Sequence, residues 1–249
     1  MVDDRIAARR AEVRSSRRRA RLRRTLLGLV VLVLIGGGVW FEGSEYATVR
    51  SVVVEGTTLL DEATVVAASD VAAGDPAVRL WPASVVDRVE LLPLVRSATV
   101  GRRGLRDVII TVEERAPVYV VAYRMTSSLV DREGIVLARE GDERLPTVRV
   151  VTPPPAPGET VVGHAALANA HRVWQGLSGP LRSRVVEMRA PDEDGLELVL
   201  EDAPVVVFGR SEQLDEKVRA LGAILDDVAG SDVTLVDVRV PGFPVVRAD

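Results

Sequence analysis

Seventeen consecutive uncharged, mostly apolar residues, Thr25 to Phe41, follow directly on a dense arginine cluster and constrain this chain more than any other feature. Residues 1–24 hold ten arginines against Asp3, Asp4 and Glu12, a charge of +7. The 208 residues after Phe41 hold 22 basic and 33 acidic residues, a charge of −11. The modest net charge of −4 therefore hides two parts of opposite sign, an asymmetry that calls for a membrane or a polyanion. The adjoining apolar run decides for membrane. As a helix it spans roughly 26 Å, slightly short of a hydrocarbon core of about 30 Å. Arg23 and Arg24 at one end and Trp40 and Phe41 at the other suit the two interfaces, and snorkelling arginines absorb the shortfall.

The positive-inside rule then puts residues 1–24 in the cytoplasm and everything after about Glu42 outside, as a single-pass type II protein. A cleaved signal peptide shares the basic start, but its apolar part is shorter and ends at small residues. Here the run ends in Trp40-Phe41, which favours an uncleaved anchor. A basic arm can also bind nucleic acid. Beside an apolar helix, the arginines read more simply as a topology signal with attraction to anionic lipid.

Cysteine is absent, so the external part folds without disulfides or thiolate metal sites. At about 200 residues it buries enough apolar surface for two modest domains. The scarcity of aromatics leaves valine, leucine, alanine and isoleucine to build the core, and abundant valine favours β structure.

Residues 49–117 read as strand, helix, helix, strand, strand. A strand over Val49–Glu55 stops at Gly56, and Asp61 is placed to cap a helix over Glu62–Ser69. Pro82 opens a second helix with Val85, Val86, Val89 and Leu92 on one stripe, ended by Pro93. Strands over Val95–Arg102 and Asp107–Glu114 follow. Val108, Ile110 and Val112 share one face and Ile109 and Thr111 the other, and the pattern leaves open which face meets the helices.

Residues 118–249 read as a β-rich domain with two helices. Strands are expected over Val118–Tyr123, Ser128–Val130 and Ile135–Ala138, the last two joined by the Asp131-Arg132-Glu133-Gly134 turn. After an extended Pro153–Gly158 loop comes a helix over Ala165–Leu177. Further strands are expected near Val185–Arg189, Leu196–Glu201 and Val205–Phe208. Ser211 is placed to cap a helix over Glu212–Val228 with Leu214, Val218, Leu221, Leu225 and Val228 as its stripe. Strands over Thr234–Val240 and Phe243–Arg247 meet at Pro241-Gly242.

Reaction chemistry is hard to find. His164 and His171, the only histidines, read as surface or helix-start residues, and Asp192/Asp194 and Asp226/Asp227 as solvated turn or helix-end pairs. No nucleophile elbow, zinc-protease motif or phosphate-cradling glycine loop occurs. The expectation is a binding protein rather than an enzyme, with no metal and no cofactor. Its last strand, Phe243–Arg247, has no later partner in sequence, so one edge is a template for a strand from another chain. Val240, Phe243, Val245, Val246 and Arg247 are the residues expected there.

The motifs resemble a known family. Val52-Val53-Val54-Glu55-Gly56 ahead of a two-helix unit, then Leu92-Pro93-Leu94-Val95-Arg96-Ser97-Ala98-Thr99-Val100, is similar to the POTRA domain of the FtsQ/DivIB cell-division proteins. The closing phrase Val112-Glu113-Glu114-Arg115-Ala116-Pro117-Val118 matches too, as do Leu129 to Val136 followed by Leu145-Pro146. Downstream come Val207-Phe208-Gly209 before a helix containing Lys217, then Val236-Asp237-Val238-Arg239. The resemblance spans nearly all of residues 25–247, anchor included. It implies a divisome scaffold at the septum, with domains over 49–117 and 118–249. The first would recruit division proteins, and the second would bind the external ends of the coiled-coil proteins FtsB/DivIC and FtsL. It also implies that Arg239, after the "V-D-x" strand, meets an acidic partner residue. The rival class is a membrane-anchored POTRA-type assembly or transport factor, whose tandem POTRA units and barrel pattern are not seen here.

Overall fold

The computed structural model describes residues 26–37, 48–77, 80–104, 106–138, 144–201, 204–228 and 232–248. Residues 26–37 form a helix, α1, whose apolar side chains are open to the surroundings, Leu27 by 67%, Leu32 by 69% and Leu34 by 69%. Among the described residues no helix is long and apolar enough to cross a membrane. Thr25, residues 38–41 of the expected anchor and the basic arm over 1–24 lie outside the described residues.

Further along, β1 (Ser51–Glu55), α2 (Glu62–Ser69), α3 (Pro82–Val89), β2 (Val95–Arg103) and β3 (Asp107–Glu114) follow in the expected order. They form a three-stranded sheet in the order β1-β3-β2, with β1 parallel and β2 antiparallel to β3. The face left open by the sequence pattern is now assigned. Val108, Ile110 and Val112 are buried with Val65, Val85 and Val89 of the two helices, while Ile109 is half-buried and Thr111 exposed. Helix α2 begins where expected, yet the Asp61 side chain makes no capping bond. Glu114 binds the preceding loop instead, accepting the N–H groups of Thr58, Leu59 and Leu60 at 2.8–3.0 Å. Burial lifts its carboxyl pKa, and these three donors outweigh that and hold it below the usual range. Gly56, at φ +90°, sits so close to β3 that a Cβ there would fall 2.2 Å from the Val112 carbonyl oxygen. Glycine is required at that strand end.

The remaining strands are β4 (Pro117–Tyr123), β5 (Thr126–Asp131), β6 (Val136–Ala138), β7 (Thr147–Val150), β8 (Val185–Ala190), β9 (Glu197–Leu200), β10 (Val205–Val207), β11 (Val233–Asp237) and β12 (Val245–Ala248). They make one mixed sheet in the order β12-β11-β10-β9-β8-β7-β4-β5-β6. Parallel neighbours need a crossover, and a helix usually supplies it. α4 (Ala165–Gly176) joins the parallel pair β7 and β8, and α6 (Leu214–Asp227) joins the parallel pair β10 and β11. Their apolar faces, with Leu167, Trp174, Leu221 and Leu225, share a core with Tyr119, Met188, Leu198 and Phe208 of the sheet region. The whole is an α+β protein. A short helix α5 (Gly179–Arg182) and the strand β7 were not expected.

Two expected boundaries are corrected. Ser211 does not cap α6, because its N–H donates to Asn169 Oδ1 at 2.8 Å and its hydroxyl accepts from Arg172 at 3.0 Å. The helix starts later, at Leu214, after Gln213 turns through a left-handed conformation at φ 52°. The last two strands are also shorter and shifted, so Arg239, Val240 and Phe243 lie in their connection rather than in the ladder. Asp237 is the reason. Its Oδ1 accepts the Arg239 N–H at 3.0 Å, a side-chain turn that draws the backbone out of the sheet.

Candidate partner-binding edge

β12 closes one end of the nine-stranded sheet, pairing antiparallel with β11 through Val236↔Val246 and Asp237↔Val245. Its other side meets no strand among the described residues. Every β12 residue is exposed, Val245 by 59% and Val246 by 43%, and Arg247 lies beside them in the same strand. Ahead of the strand, Val240 and Phe243 project from the turn, Phe243 by 82%, and the Phe243 N–H closes that turn on the Val240 carbonyl at 3.0 Å. The five expected edge residues thus gather on one open strand and its turn. Apolar side chains left in water beside unpaired backbone donors and acceptors suit an added strand from another chain.

Arg239 is held in place. Its guanidinium bonds both carboxylate oxygens of Asp237 at 2.6–3.1 Å and remains largely exposed. Those bonds lower the Asp237 carboxyl pKa against the opposing effect of burial, and they raise that of Arg239. An incoming acidic group would share this guanidinium with Asp237 rather than find it free.

The support beneath Arg239 comes from residues whose role was not legible in sequence. Asn169 on α4 donates to the Gly209 carbonyl at 2.9 Å and accepts from Ser211 N–H, which pins the turn after β10. Lys217, the only lysine, is buried and donates to the Arg210 and Phe208 carbonyls at 2.7 and 3.3 Å. Burial lowers its pKa, with Glu212 and Asp237 acting in the opposite direction. Gly209, at φ +70°, underlies Arg239, and a Cβ there would come within 3.0 Å of the arginine stem. Arg210 completes this end by pairing with Glu193 and Asp194 of the loop before β9.

The histidines divide. His164 begins α4, its Nδ1 accepting the Leu167 N–H at 3.3 Å, as a helix-start residue should. His171 is not at the surface. It is buried between the Tyr119 hydroxyl on Nδ1 and the Gln175 amide on Nε2, both at 2.9 Å. Burial lowers its pKa, with Asp131 and Glu133 opposing. The unfolded chain therefore binds this proton more readily than the native one, and stability falls as pH drops below the ordinary imidazole value near 6.5. Thermal unfolding at several pH values should show a loss between neutral and mildly acidic pH that is shallower in His171→Gln. Identical pH profiles would remove His171 as the cause.

Residues 47–115 match the family described as POTRA domain, FtsQ-type, and residues 120–239 match that described as cell division protein FtsQ/DivIB, C-terminal. The second match ends at Arg239, so β12 lies beyond it. The cell division protein FtsQ of Streptomyces coelicolor is 32% identical over 237 residues, which cover 90% of this chain and 88% of that protein. The cell division protein FtsQ of Mycobacteroides abscessus is 30% identical over 223 residues, covering 89% and 68%. That of Mycobacterium tuberculosis is 30% identical over 229 residues, covering 90% and 69%. Two domain matches in sequence order, and relatives aligned along most of both lengths, make this chain a member of the FtsQ/DivIB family of cell-division proteins.

Proposed function

We propose that the chain is a non-enzymatic scaffold of the divisome, anchored by residues 25–41 with residues 1–24 in the cytoplasm and domains 49–117 and 118–249 outside. The open β12 edge carries this reading. It offers a strand of the external segment of an FtsB/DivIC-like coiled-coil protein a backbone ladder along Val245–Arg247. Val240 and Phe243 would supply apolar contact, and Arg239 a charged stop at one end. An FtsL-like protein would arrive with that partner, and the POTRA domain would serve other divisome components. The +7 arm and the open apolar helix α1 support the anchor.

A generic POTRA-type assembly or transport factor is the alternative, and family membership weighs against it. Depletion followed by microscopy separates the two. Filaments with unfinished septa, and a fluorescent fusion concentrated at those septa, are the expected result. Normal division with an envelope-assembly defect would contradict the scaffold reading.

A further inference from the structure

One end of the three-stranded sheet carries a basic and aromatic patch that the partner edge does not use. The registers Ser51↔Asp107 and Arg103↔Asp107 bring the start of β1, the end of β2 and the start of β3 together. Arg50, Arg102, Arg103 and Arg106 all belong to that end. The segment before α3 is tied to it. Thr48 bridges to Pro76, Val49 N–H donates to the Asp75 carbonyl at 2.8 Å, and Arg102 donates to the Ala77 and Leu80 carbonyls at 2.7 and 3.3 Å. Next to Leu80 stands Trp81, 76% exposed at the start of α3.

Three carboxylates lie nearby: Asp70 beside Trp81, and Asp107 and Asp75, which bond within the fold. Asp107 accepts from the Ser51 hydroxyl and Asp75 from the Ala72 N–H, each at 2.7 Å. Arg50 has no carboxylate partner among the described residues, and Arg103 has only an exposed contact to Glu55 at 3.8 Å. This is also where the chain arrives from the expected anchor. Six residues lie between Phe41 and Thr48, seven steps of chain with a reach of at most about 25 Å.

We propose that this end of the domain docks on the outer surface of the bilayer, Arg50 and Arg103 binding anionic phospholipid headgroups and Trp81 entering the interface. The proposal rests on the anchored topology. Guanidinium groups bind phosphate with fitted geometry, and an exposed indole is at home where apolar and wet regions meet. Charge decides the orientation. The external part carries −11 overall, so an anionic surface repels most of it and attracts this end. Docking would fix the tilt of the first domain and hold the β12 edge at a set distance from the membrane.

The test uses the full chain carrying Trp40→Phe, reconstituted into vesicles of phosphatidylcholine alone or with phosphatidylglycerol, brominated lipid serving as a quencher. Trp174 is buried and acts as the unquenched background. Co-flotation with both vesicle types reports the anchor, and Trp81 quenching reports docking. Quenching is expected only with phosphatidylglycerol, falling at least about threefold in Arg50→Gln with Arg103→Gln and in high salt. Co-flotation with equal or absent Trp81 quenching in the two vesicle types would overturn docking and leave the anchor standing. Failure to co-float would overturn both. Soluble polyphosphate that shifts Trp81 emission as strongly as the anionic vesicles would mark a free-phosphate site, and would overturn the lipid assignment.

Discussion

Of the two adjacent variants Val245→Pro and Val246→Pro, one is expected to keep the wild-type unfolding temperature and yet lose partner capture by about a hundredfold. Successive N–H groups along a strand point to opposite sides, so one of these prolines removes a bond to β11 and the other a donor on the open side. Only the second should separate capture from stability. Arg239→Glu should act with it, because the new carboxylate meets Asp237 at the position where an acidic partner group would approach. The lost pair joins a largely exposed guanidinium to a half-buried carboxylate, so its removal should cost the fold on the order of 1 kcal/mol. Capture of an FtsB/DivIC-like external segment by the chain, measured beside thermal unfolding, is the assay. Undiminished capture in Arg239→Glu combined with the fold-neutral proline would end the edge assignment.

The largest expected effect on stability lies where the two sheets meet. Arg115, just past β3, donates to Asp131 Oδ2 at 2.8 Å and to the Val95 carbonyl at 3.2 Å. Asp131 is fully buried, and its other oxygen accepts only the Ile135 N–H at 2.8 Å among the described residues. Glu133 extends the network, 3.6 Å from Arg115 and 2.9 Å from Arg96. Arg115→Met strands a buried carboxylate, which should cost about 3–5 kcal/mol in chemical denaturation. Arg115→Met with Asp131→Leu removes both charges and should recover part of that loss. An Arg115→Met protein as stable as the wild type would show that the pair holds nothing together.

Much of this fold was legible because its signals are local. Pro82 starts α3, the alternation in Val108–Val112 marks a half-buried strand, and Gly56 ends β1 for a steric reason. What stayed hidden depends on distant residues. β7 has four residues, of which Val148 and Val150 point inward, too few for a period to register. Ser211 has the chemistry of a helix cap, but Asn169 and Arg172 from another helix claim it first. The same holds at the candidate site. The open apolar strand was readable in Phe243–Arg247, whereas the Asp237 turn that places Arg239 outside the ladder needed the folded geometry. In the sequence Lys217 stood out as the single lysine and as part of the motif after Val207-Phe208-Gly209, with no role attached to it. Its ammonium turns out to hold the loop beneath Arg239, a role that no spacing rule encodes.

Amide hydrogen exchange of the chain with and without the external segment of the proposed FtsB/DivIC-like partner tests the central claim most directly. The account predicts that binding slows exchange at the outward-facing amides of Val245–Ala248, leaves the three-stranded sheet unchanged, and loses this protection in the fold-neutral proline variant. Binding that protects other segments while β12 exchanges as fast as in the free chain would contradict it.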